Sequence, residues 1–421
     1  MGSSDIRPES WNPPLIVVAG VGIGFESFGI LYSDWLARAE VVVTAESLAG
    51  SPHLTHKEVI FIKSPVEAIV RRVIELSSRK RVIVLASGDP LFFGIGATFA
   101  KHVGSENLLI LPNISVVQYF FSKICKPWDD VRFFSLHGRD NREFFFWLRN
   151  GKSVVLFTDE KRNPAFIARL VVEYGFSRVT FVVGELLGTE KERIMWGSAD
   201  QVAEEHWEDP NIVALFPDDA FQKCPGFRDD ELYLHQRGLI TKREVRTFVL
   251  GALCLKPGQI LWDLGAGSGS VCIEACSMTP LRMAFAVEKD PTRYQDLVKN
   301  TKKWGCGEIF CVQGNAVELV RDLPRPDRVF IGGTGGWVEA LLQAIEARCS
   351  GLVPVVLTCV TFGTLHSLER YARERGHSFE AFQVNVSRAV PVAESYRFES
   401  LNPVWIVRLG FPHPGFNPFK M

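Results

Sequence analysis

Short, unbroken runs of apolar residues recur along the whole chain and alternate with segments of helical periodicity. In the first half the runs are 15–19, 41–44, 59–62, 82–86, 108–111, 154–158 and 179–183, with helical patterns at 33–38, 66–76 and 164–174. In the second half a second α/β pattern follows, with predicted strands at 260–264, 284–288, 309–312, 329–331, 353–358 and 404–409. Uninterrupted runs of this kind are typical of parallel strands buried on both faces. The pattern therefore predicts an α/β protein, closed by an antiparallel pair formed by 383–386 and 405–407.

A change in composition near the middle predicts two modules. The chain has 421 residues, which suits two or three domains. Residues 217–230 hold two prolines, a glycine and four aspartates without apolar periodicity, so we expect a linker there. The expected modules are 15–216 and 231–421. Residues 1–14 lack the basic and apolar segments of a secretion signal, and we expect a disordered leader.

Charge and cysteine usage exclude several classes of function. The 47 basic and 48 acidic residues give a net charge of −1, so no global field attracts a nucleic acid. No apolar stretch is long enough to predict a membrane span. The nine cysteines form no C-x-x-C pair, so we expect reduced core thiols, no metal site and a cytoplasmic location.

The segment 262–270, WDLGAGSGS, joins the end of a predicted strand to the start of a helix. Its alternate glycines allow a sharp turn and a close approach to a ligand, which suits any nucleotide-like molecule. The spacing G-x-G-x-G differs from the dinucleotide pattern G-x-G-x-x-G. Asp263 would attract the cationic amino-acid end of S-adenosylmethionine and repel a pyrophosphate. The candidate cofactor residues here are Asp263, Gly265, Ala266, Gly267, Ser268 and Gly269.

The next two predicted strands end in residues that suit the same cofactor. Glu288 closes the strand that follows, where its carboxylate oxygens can accept hydrogen bonds from a ribose diol. Asn315 and Ala316 follow the third strand, where an adenine would lie. Ligands of open α/β sheets bind at the carboxyl ends of the strands, so the three elements are expected to converge. Taken singly, each could equally be a tight turn or a solvated strand end.

Two further segments suggest a substrate site. The run 331–336, IGGTGG, follows the fourth strand, and Gly332 and Gly333 would let a bulky substrate approach, unless the run is a mobile linker. Upstream, Thr241 and Glu244 form a capping-box pattern at the start of a helix. The cations Lys242, Arg243 and Arg246 could hold substrate carboxylates by charge-assisted hydrogen bonds, or form a solvated face.

Together these segments resemble the precorrin-6B (precorrin-6Y) C5,15-methyltransferase family of cobalamin biosynthesis. The second half resembles the module that methylates carbon 15 and decarboxylates, through TKREVR (241–246), WDLGAGSGS (262–270), AVEKD (286–290), GNA (314–316), IGGTGG (331–336), QVNVSR (383–388) and NPVWIV (402–407). The resemblance implies that Thr241, the loop glycines, Glu288 and Ala316 line an S-adenosylmethionine pocket.

The first half resembles the carbon-5 methylating module, a tetrapyrrole methylase. The matching segments are GVGIG (20–24), ASGDPLFFGIG (86–96), LPNISVVQ (111–118) and SLHGR (135–139). The resemblance implies two lobes that divide near Pro112, with Gly88, Asp89 and Pro90 at a cofactor cleft. The first motif departs from the family's G-x-G-P-G, because Ile23 stands where proline is usual and Phe25 lies just beyond.

The resemblance implies a two-lobed tetrapyrrole methylase (class III methyltransferase) fold followed by a Rossmann-like class I methyltransferase domain. It implies C-methylation at carbons 5 and 15 with loss of an acetate carboxyl, S-adenosylmethionine as cofactor, a tetrapyrrole substrate and a homo-oligomer. No residue is assigned to catalysis, because the electron-rich macrocycle can supply the nucleophile and accept the electrons. An RNA methyltransferase and a non-catalytic tetrapyrrole or S-adenosylmethionine sensor stay open as alternatives.

Overall fold

The computed structural model describes residues 6–23, 25–48, 54, 56–63, 65–138, 140–218, 226–333 and 336–411. Several residues of the predicted motifs lie outside this description: 1–5, Gly24, Arg139, 219–225, Thr334 and Gly335. The chain forms two compact units. The first consists of Met1–Asp130, Gly184–Ile194 and Glu208–Asn211, and the second of Val131–Val183, Met195–Trp207 and Ile212–Met421.

The first unit is built around a parallel five-stranded sheet of order β3-β2-β4-β1-β5. Its central strands are buried throughout because nearly every residue is apolar, as the unbroken runs predicted. The elements are β1 Ile16–Gly20, α1 Phe25–Arg38, β2 Val41–Thr44, β3 Glu58–Phe61, α2 Val66–Ser77, β4 Val82–Ala86, α3 Gly96–His102, β5 Leu108–Leu111 and α4 Val116–Lys123. Helix α1 starts eight residues before the helical pattern predicted at 33–38, with a break at Tyr32 where φ is −134°.

A mixed second sheet has the order β6-β7-β10-β8-β9. Strands β6 and β7 are parallel, whereas β10 runs antiparallel to β7. The elements are β6 Arg132–Ser135, α5 Phe144–Arg149, β7 Val154–Phe157, α6 Pro164–Glu173, β8 Val179–Glu185, β9 Arg193–Gly197, α7 Ala199–Glu204 and β10 Asn211–Pro217. Of these strands only β7 and β8 were predicted from sequence, and α6 corresponds to the predicted helical pattern 164–174.

The remainder of the second unit carries a seven-stranded sheet of order β13-β12-β11-β14-β15-β19-β16. The first five strands are parallel, and β19 runs antiparallel to both β15 and β16, which confirms the predicted closing pair. The elements are α8 Arg243–Leu253, β11 Ile260–Leu264, α9 Ser270–Met278, β12 Met283–Glu288, α10 Pro291–Lys303, β13 Ile309–Gln313, α11 Ala316–Leu319, β14 Arg328–Ile331, α12 Val338–Cys349, β15 Val355–Cys359, α13 Phe362–Arg375, β16 Phe379–Val384, β17 Ser387–Val392, β18 Ser395–Ser400 and β19 Val404–Leu409. Strands β17 and β18 form a separate hairpin.

The segment expected to be a disordered leader takes part in the core of the first unit. Trp11 is 1% exposed and lies against Trp35, with 5.6 Å between ring centroids. Its indole N–H donates to the Leu15 carbonyl at 2.9 Å. The expectation was wrong for residues 6–14, because burying an indole with its donor satisfied stabilises an ordered segment.

Within the second unit, helix α5 packs on the turn that precedes β13. Arg149 and Glu308 form a bidentate ion pair in which both side chains are buried. The same guanidinium donates to the carbonyls of Gly305 and Cys276 at 2.6 and 2.8 Å. A Cβ on Gly307 would lie 2.2 Å from the Phe145 ring, so the two surfaces pack closely. The second sheet and the seven-stranded sheet therefore share a buried polar junction.

The expected linker is not wholly a linker. Arg228 and Asp230, from its last residues, are buried and contact α8 and α9. The Asp230 carboxylate pairs with Arg246 at 2.9 Å, as a buried ion requires, and Glu274 accepts from the Arg228 backbone N–H at 3.3 Å. Among the described residues, no helix is long and apolar enough to cross a membrane.

Candidate functional site

A cavity of about 550 Å³ opens at the carboxyl ends of β11, β14 and β15. It lies in the size range of small-molecule sites. Its lining brings together many of the residues predicted to bind cofactor or substrate: Thr241, Lys242, Gly265, Ala266, Gly267, Ser268, Gly332 and Gly333. The structure therefore brings the glycine loop together with Thr241, Lys242, Gly332 and Gly333, whereas the predicted convergence of Asn315 and Ala316 on the same site stays a prediction.

The loop after β11 is shaped by a close approach to the loop after β14. Gly265 has a φ of +76°, and a Cβ there would lie 2.6 Å from the carbonyl oxygen of Gly333. Only glycine meets both conditions without strain. The Gly265 N–H donates to the Val287 carbonyl at 2.9 Å, and Asn300 donates to the Ser268 carbonyl at 2.8 Å. Contacts with Gly333, Val287 and Asn300 therefore fix the loop, and its remaining surface faces the cavity.

Glu288 stabilises this loop through hydrogen bonds of its carboxylate. Its carboxylate accepts hydrogen bonds from the Gly267 and Asp290 N–H groups at 2.8 and 2.9 Å. It also pairs with Arg293 at 3.2 Å, and Arg293 lines the cavity. Glu288 is itself 3% exposed and lies outside the lining. In the structure it therefore shapes the loop, and its predicted contact with a ribose stays a prediction.

Asp263 is buried behind the loop, with 1% of its surface exposed. Its Oδ2 accepts a hydrogen bond from the Cys272 N–H at 3.2 Å, whereas Oδ1 has no hydrogen-bond partner among the described residues. Burial, reinforced by the charge of Glu288, raises the pKa of Asp263 to about 7. A carboxyl group in this state can gain a cationic partner at neutral pH.

The segment before α8 supplies Thr241 and Lys242 to the cavity, but not through the expected capping box. The helix starts at Arg243 with Lys242 as N-cap and without a side-chain cap. Glu244 instead pairs with Arg388 of the hairpin at 2.7 Å and with Arg243 at 3.1 Å. The capping-box prediction was wrong because a distant arginine competes for the glutamate.

The two arginines of this helix lie outside the cavity lining, and their role in substrate binding stays a prediction. Arg246 is fully buried and donates to Asp230, Glu274 and the Thr241 carbonyl, at 2.9, 2.9 and 2.5 Å. Arg243 lies outside the cavity lining and pairs with Asp229 and Glu244. Both guanidinium groups are committed to carboxylates of the protein. Lys242 is the cation of the motif that lines the cavity.

Four more of the second-half residues predicted to bind the cofactor, Asp263, Gly269, Asn315 and Ala316, lie outside the cavity lining. Gly269 is the N-cap of α9, and a Cβ there would lie 2.3 Å from a Leu297 methyl group. Asn315 caps α11 by accepting from the Val317 N–H at 3.2 Å, and Ala316 is the first residue of that helix. Their contact with an adenine stays a prediction.

Sequence reasoning missed several polar residues of the cavity. Thr358 lies near the end of β15, and Thr361 and Thr364 follow it, so the rule that ligands bind at the carboxyl ends of strands could have found them. Asn402 precedes β19, which runs antiparallel, so its start reaches this edge and the rule does not cover it. Arg293, five residues after Glu288, could have been suspected as its ion-pair partner.

In the first unit, the loops after β1, β4 and β5 are tied to one another. Gly22 and Gly88 exchange two backbone hydrogen bonds of 3.1 and 3.3 Å, and Asn113 donates to the Gly20 carbonyl at 2.9 Å. The Asp89 carboxylate accepts hydrogen bonds from the backbone N–H groups of Leu91 and Phe92, at 2.8 and 3.2 Å. Pro90 is buried against Gly20. The predicted roles of Gly88, Asp89 and Pro90 in cofactor binding stay predictions.

Ile23, which replaces the usual proline of the first motif, packs on a glycine. A Cβ on Gly188 would lie 1.9 Å from the Ile23 Cγ2 atom, and Gly188 has a φ of +79°. Glu192 fixes this contact by accepting from the Gly188 N–H at 2.7 Å, and it also accepts from the Tyr119 hydroxyl at 2.7 Å. The bulkier side chain is therefore matched by a gap on the facing loop.

Comparison with known proteins agrees with this arrangement of sites. A family model described as "Tetrapyrrole (Corrin/Porphyrin) Methylases" matches residues 16–203, and one described as "Precorrin methyltransferase domain" matches 231–409. A Sinorhizobium protein named precorrin-6Y C(5,15)-methyltransferase [decarboxylating] is 33% identical over 406 residues, which cover 93% of this chain and 95% of that protein. The chain belongs to the precorrin-6Y C(5,15)-methyltransferase (decarboxylating) family.

Two relatives from Salmonella typhimurium carry single activities in their names. The cobalt-precorrin-6B C(15)-methyltransferase (decarboxylating) is 31% identical over 180 residues, 42% of this chain and 93% of that protein. The cobalt-precorrin-7 C(5)-methyltransferase is 42% identical over 117 residues, 28% of this chain and 57% of that protein. Membership of the precorrin-6Y C(5,15)-methyltransferase family confirms the predicted family, the methyltransferase class and the α/β fold class. The expected domain boundaries stay predictions.

Proposed function

We propose that the chain transfers two methyl groups from S-adenosylmethionine to a precorrin tetrapyrrole, at carbons 5 and 15, and removes an acetate carboxyl. The observation that carries the proposal is the cavity formed by the loop residues Gly265–Ser268 together with Gly332 and Gly333. The second half is proposed to act at carbon 15 and to decarboxylate, and the first half to act at carbon 5. The separate Salmonella relatives named for these two activities support this division.

The residues present fit S-adenosylmethionine. The close contact of Gly265 with Gly333 leaves a cradle without side chains, and the unpartnered Oδ1 of Asp263 lies behind it. When bound, the sulfonium of the cofactor supplies an electrophilic methyl group. Ala266, Gly267 and Ser268 would hold the cofactor, with Thr241 across the cavity.

The chain's own contribution is mainly to position the two reactants and to exclude water, which can accelerate a reaction strongly. The nucleophile would be a carbon of the reduced macrocycle, which would accept the methyl group that the bound cofactor supplies. Loss of carbon dioxide leaves an electron pair that the conjugated ring accepts. Lys242, which lines the cavity, would hold a peripheral carboxylate of the tetrapyrrole.

Mass spectrometry of precorrin-6B, or its cobalt analogue, after incubation with the full chain and S-adenosylmethionine tests the proposal. The expected product has gained two methyl groups and lost carbon dioxide. A product with one methyl and no carbon dioxide loss would contradict the activity of the second half. An unchanged tetrapyrrole would overturn the proposal and favour a sensor.

The pKa of Asp263 predicts a pH dependence of cofactor affinity. Below pH 7 the buried carboxyl is mostly protonated, and it must lose its proton to pair with the amino group of the cofactor. The affinity of the second half is therefore expected to rise with pH, by up to about tenfold per unit below pH 7 and little above pH 8. Calorimetric titration at a series of pH values measures it. An equally steep rise in Asp263→Asn would exclude Asp263 as the titrating group.

A further inference from the structure

Large apolar side chains stand exposed beside the cavity of the second half. Phe362 is 80% exposed, Val360 66% and Leu239 61%. Leu239 and Val360 line the cavity, and Phe362 directly follows the lining residue Thr361. Grouped exposure of this kind marks a surface that binds a partner or ligand, whereas apolar residues scattered singly need no explanation.

The position of Phe362 is set by the backbone, not by packing of its own side chain. It is the first residue of α13, a helix of 14 residues whose N-cap is Thr361. The Thr361 hydroxyl accepts from the Thr364 N–H at 3.3 Å and lies 2.9 Å from the Thr364 hydroxyl. An N-cap fixes the path of the chain into a helix. The aromatic ring is therefore presented to solvent from a rigid element.

The charges around this surface add a second constraint. Two cations, Lys242 and Arg293, line the cavity, and no carboxylate does so among the described residues. Arg293 is paired with Glu288, whereas the Lys242 ammonium donates to the Gly238 carbonyl at 3.2 Å. A ligand that covers the apolar residues and also carries anionic groups at its edge would match both features.

We propose that Leu239, Val360 and Phe362 form an apolar shelf on which one face of the tetrapyrrole macrocycle lies during reaction at the second half. This inference rests on the proposed function. The conjugated ring is broad, flat and apolar on its faces, and its acetate and propionate groups surround it. Placing the ring on the shelf brings an edge carboxylate toward Lys242 and the reacting carbon toward the cavity. Phe362 is then a specificity-determining residue for the tetrapyrrole and not for the cofactor.

Substitution of Phe362 tests the shelf in the full chain. Phe362→Ala is expected to raise the Kd for the tetrapyrrole, followed by its absorbance, about tenfold, because an aromatic side chain buries a large area against a planar ligand. The Kd for S-adenosylmethionine should not change, and Phe362→Trp should restore tetrapyrrole binding. Phe398→Ala is the matched control, since Phe398 is 78% exposed on strand β18.

The outcomes separate this inference from the function on which it rests. If the wild type binds both ligands and Phe362→Ala binds the tetrapyrrole equally well, the shelf is overturned while the proposed function stands. Equal weakening in Phe398→Ala, or a matching loss of cofactor affinity in Phe362→Ala, also overturns it. If the wild type binds neither ligand, both proposals fail.

Discussion

Replacing Gly265 by alanine is expected to weaken S-adenosylmethionine binding by the second half by at least about thirtyfold, or about 2 kcal/mol. The added Cβ would lie 2.6 Å from the Gly333 carbonyl oxygen, and the φ of +76° disfavours any side chain. The two loops must move apart, and both line the cavity. Calorimetric titration of the full chain measures the lost affinity.

Gly258 provides the matched control for this substitution. It has almost the same φ, +77°, but a Cβ there would meet no atom within 4 Å, and Gly258 lies outside the cavity lining. Gly258→Ala therefore carries the backbone strain without the clash, and cofactor affinity should be unchanged. If both variants lost affinity equally, strain in the fold would explain the loss and the loop contact would not.

The same variant separates the two methylations. At a cofactor concentration well below the raised Kd of the second half, the product from precorrin-6B should carry at most one new methyl group and retain its carboxyl. Loss of carbon dioxide in Gly265→Ala would show that decarboxylation does not depend on the second-half cavity. It would contradict the division of activities proposed for the two halves.

The sequence predicted best what depends on local pattern. The strands β1 and β4 are unbroken apolar runs buried on both sides, and a parallel sheet follows from them. Strand β9 and the hairpin β17–β18 were missed because most of their residues are half-buried or exposed. Such strands lack the apolar runs and the regular alternation on which the prediction depends.

The sequence predicted the parts of the site that consist of glycines and strand ends. It did not predict which charged side chains face the cavity, because contacts with residues distant in the sequence determine this. Arg246 and Lys242 look alike in the motif TKREVR, yet one is buried and the other lines the cavity. What separates them is Glu274, 28 residues further along the chain, and Asp230, 16 residues before. A cation's partners at such distances are set by packing, and one sequence does not reveal them.

Replacing Arg149 by methionine is expected to lower the free energy of unfolding by about 3–5 kcal/mol, because it leaves the carboxylate of Glu308 buried without a partner. Glu308 is 0% exposed, and Arg149 also satisfies the carbonyls of Gly305 and Cys276. Burial alone would lower the pKa of Arg149, but the charge of Glu308 outweighs it and holds the pKa above its ordinary value. Both groups are therefore charged, and urea denaturation of the full chain measures the loss.

The pair Lys302–Glu173 is the natural control, because it joins the same two parts of the second unit at 3.0 Å with both side chains 43–48% exposed. Removing an exposed pair typically costs less than about 1 kcal/mol, so Lys302→Ala should leave the transition almost unchanged.

The double variant Arg149→Met, Glu308→Gln should recover much of the loss, because it removes the unpaired charge. If Arg149→Met cost no more than Lys302→Ala, the buried pair would not hold the junction. If the loss of free energy appeared in the unfolding transition of only one part, the two parts would unfold independently. The size and the number of unfolding transitions therefore decide together whether the junction couples the two parts.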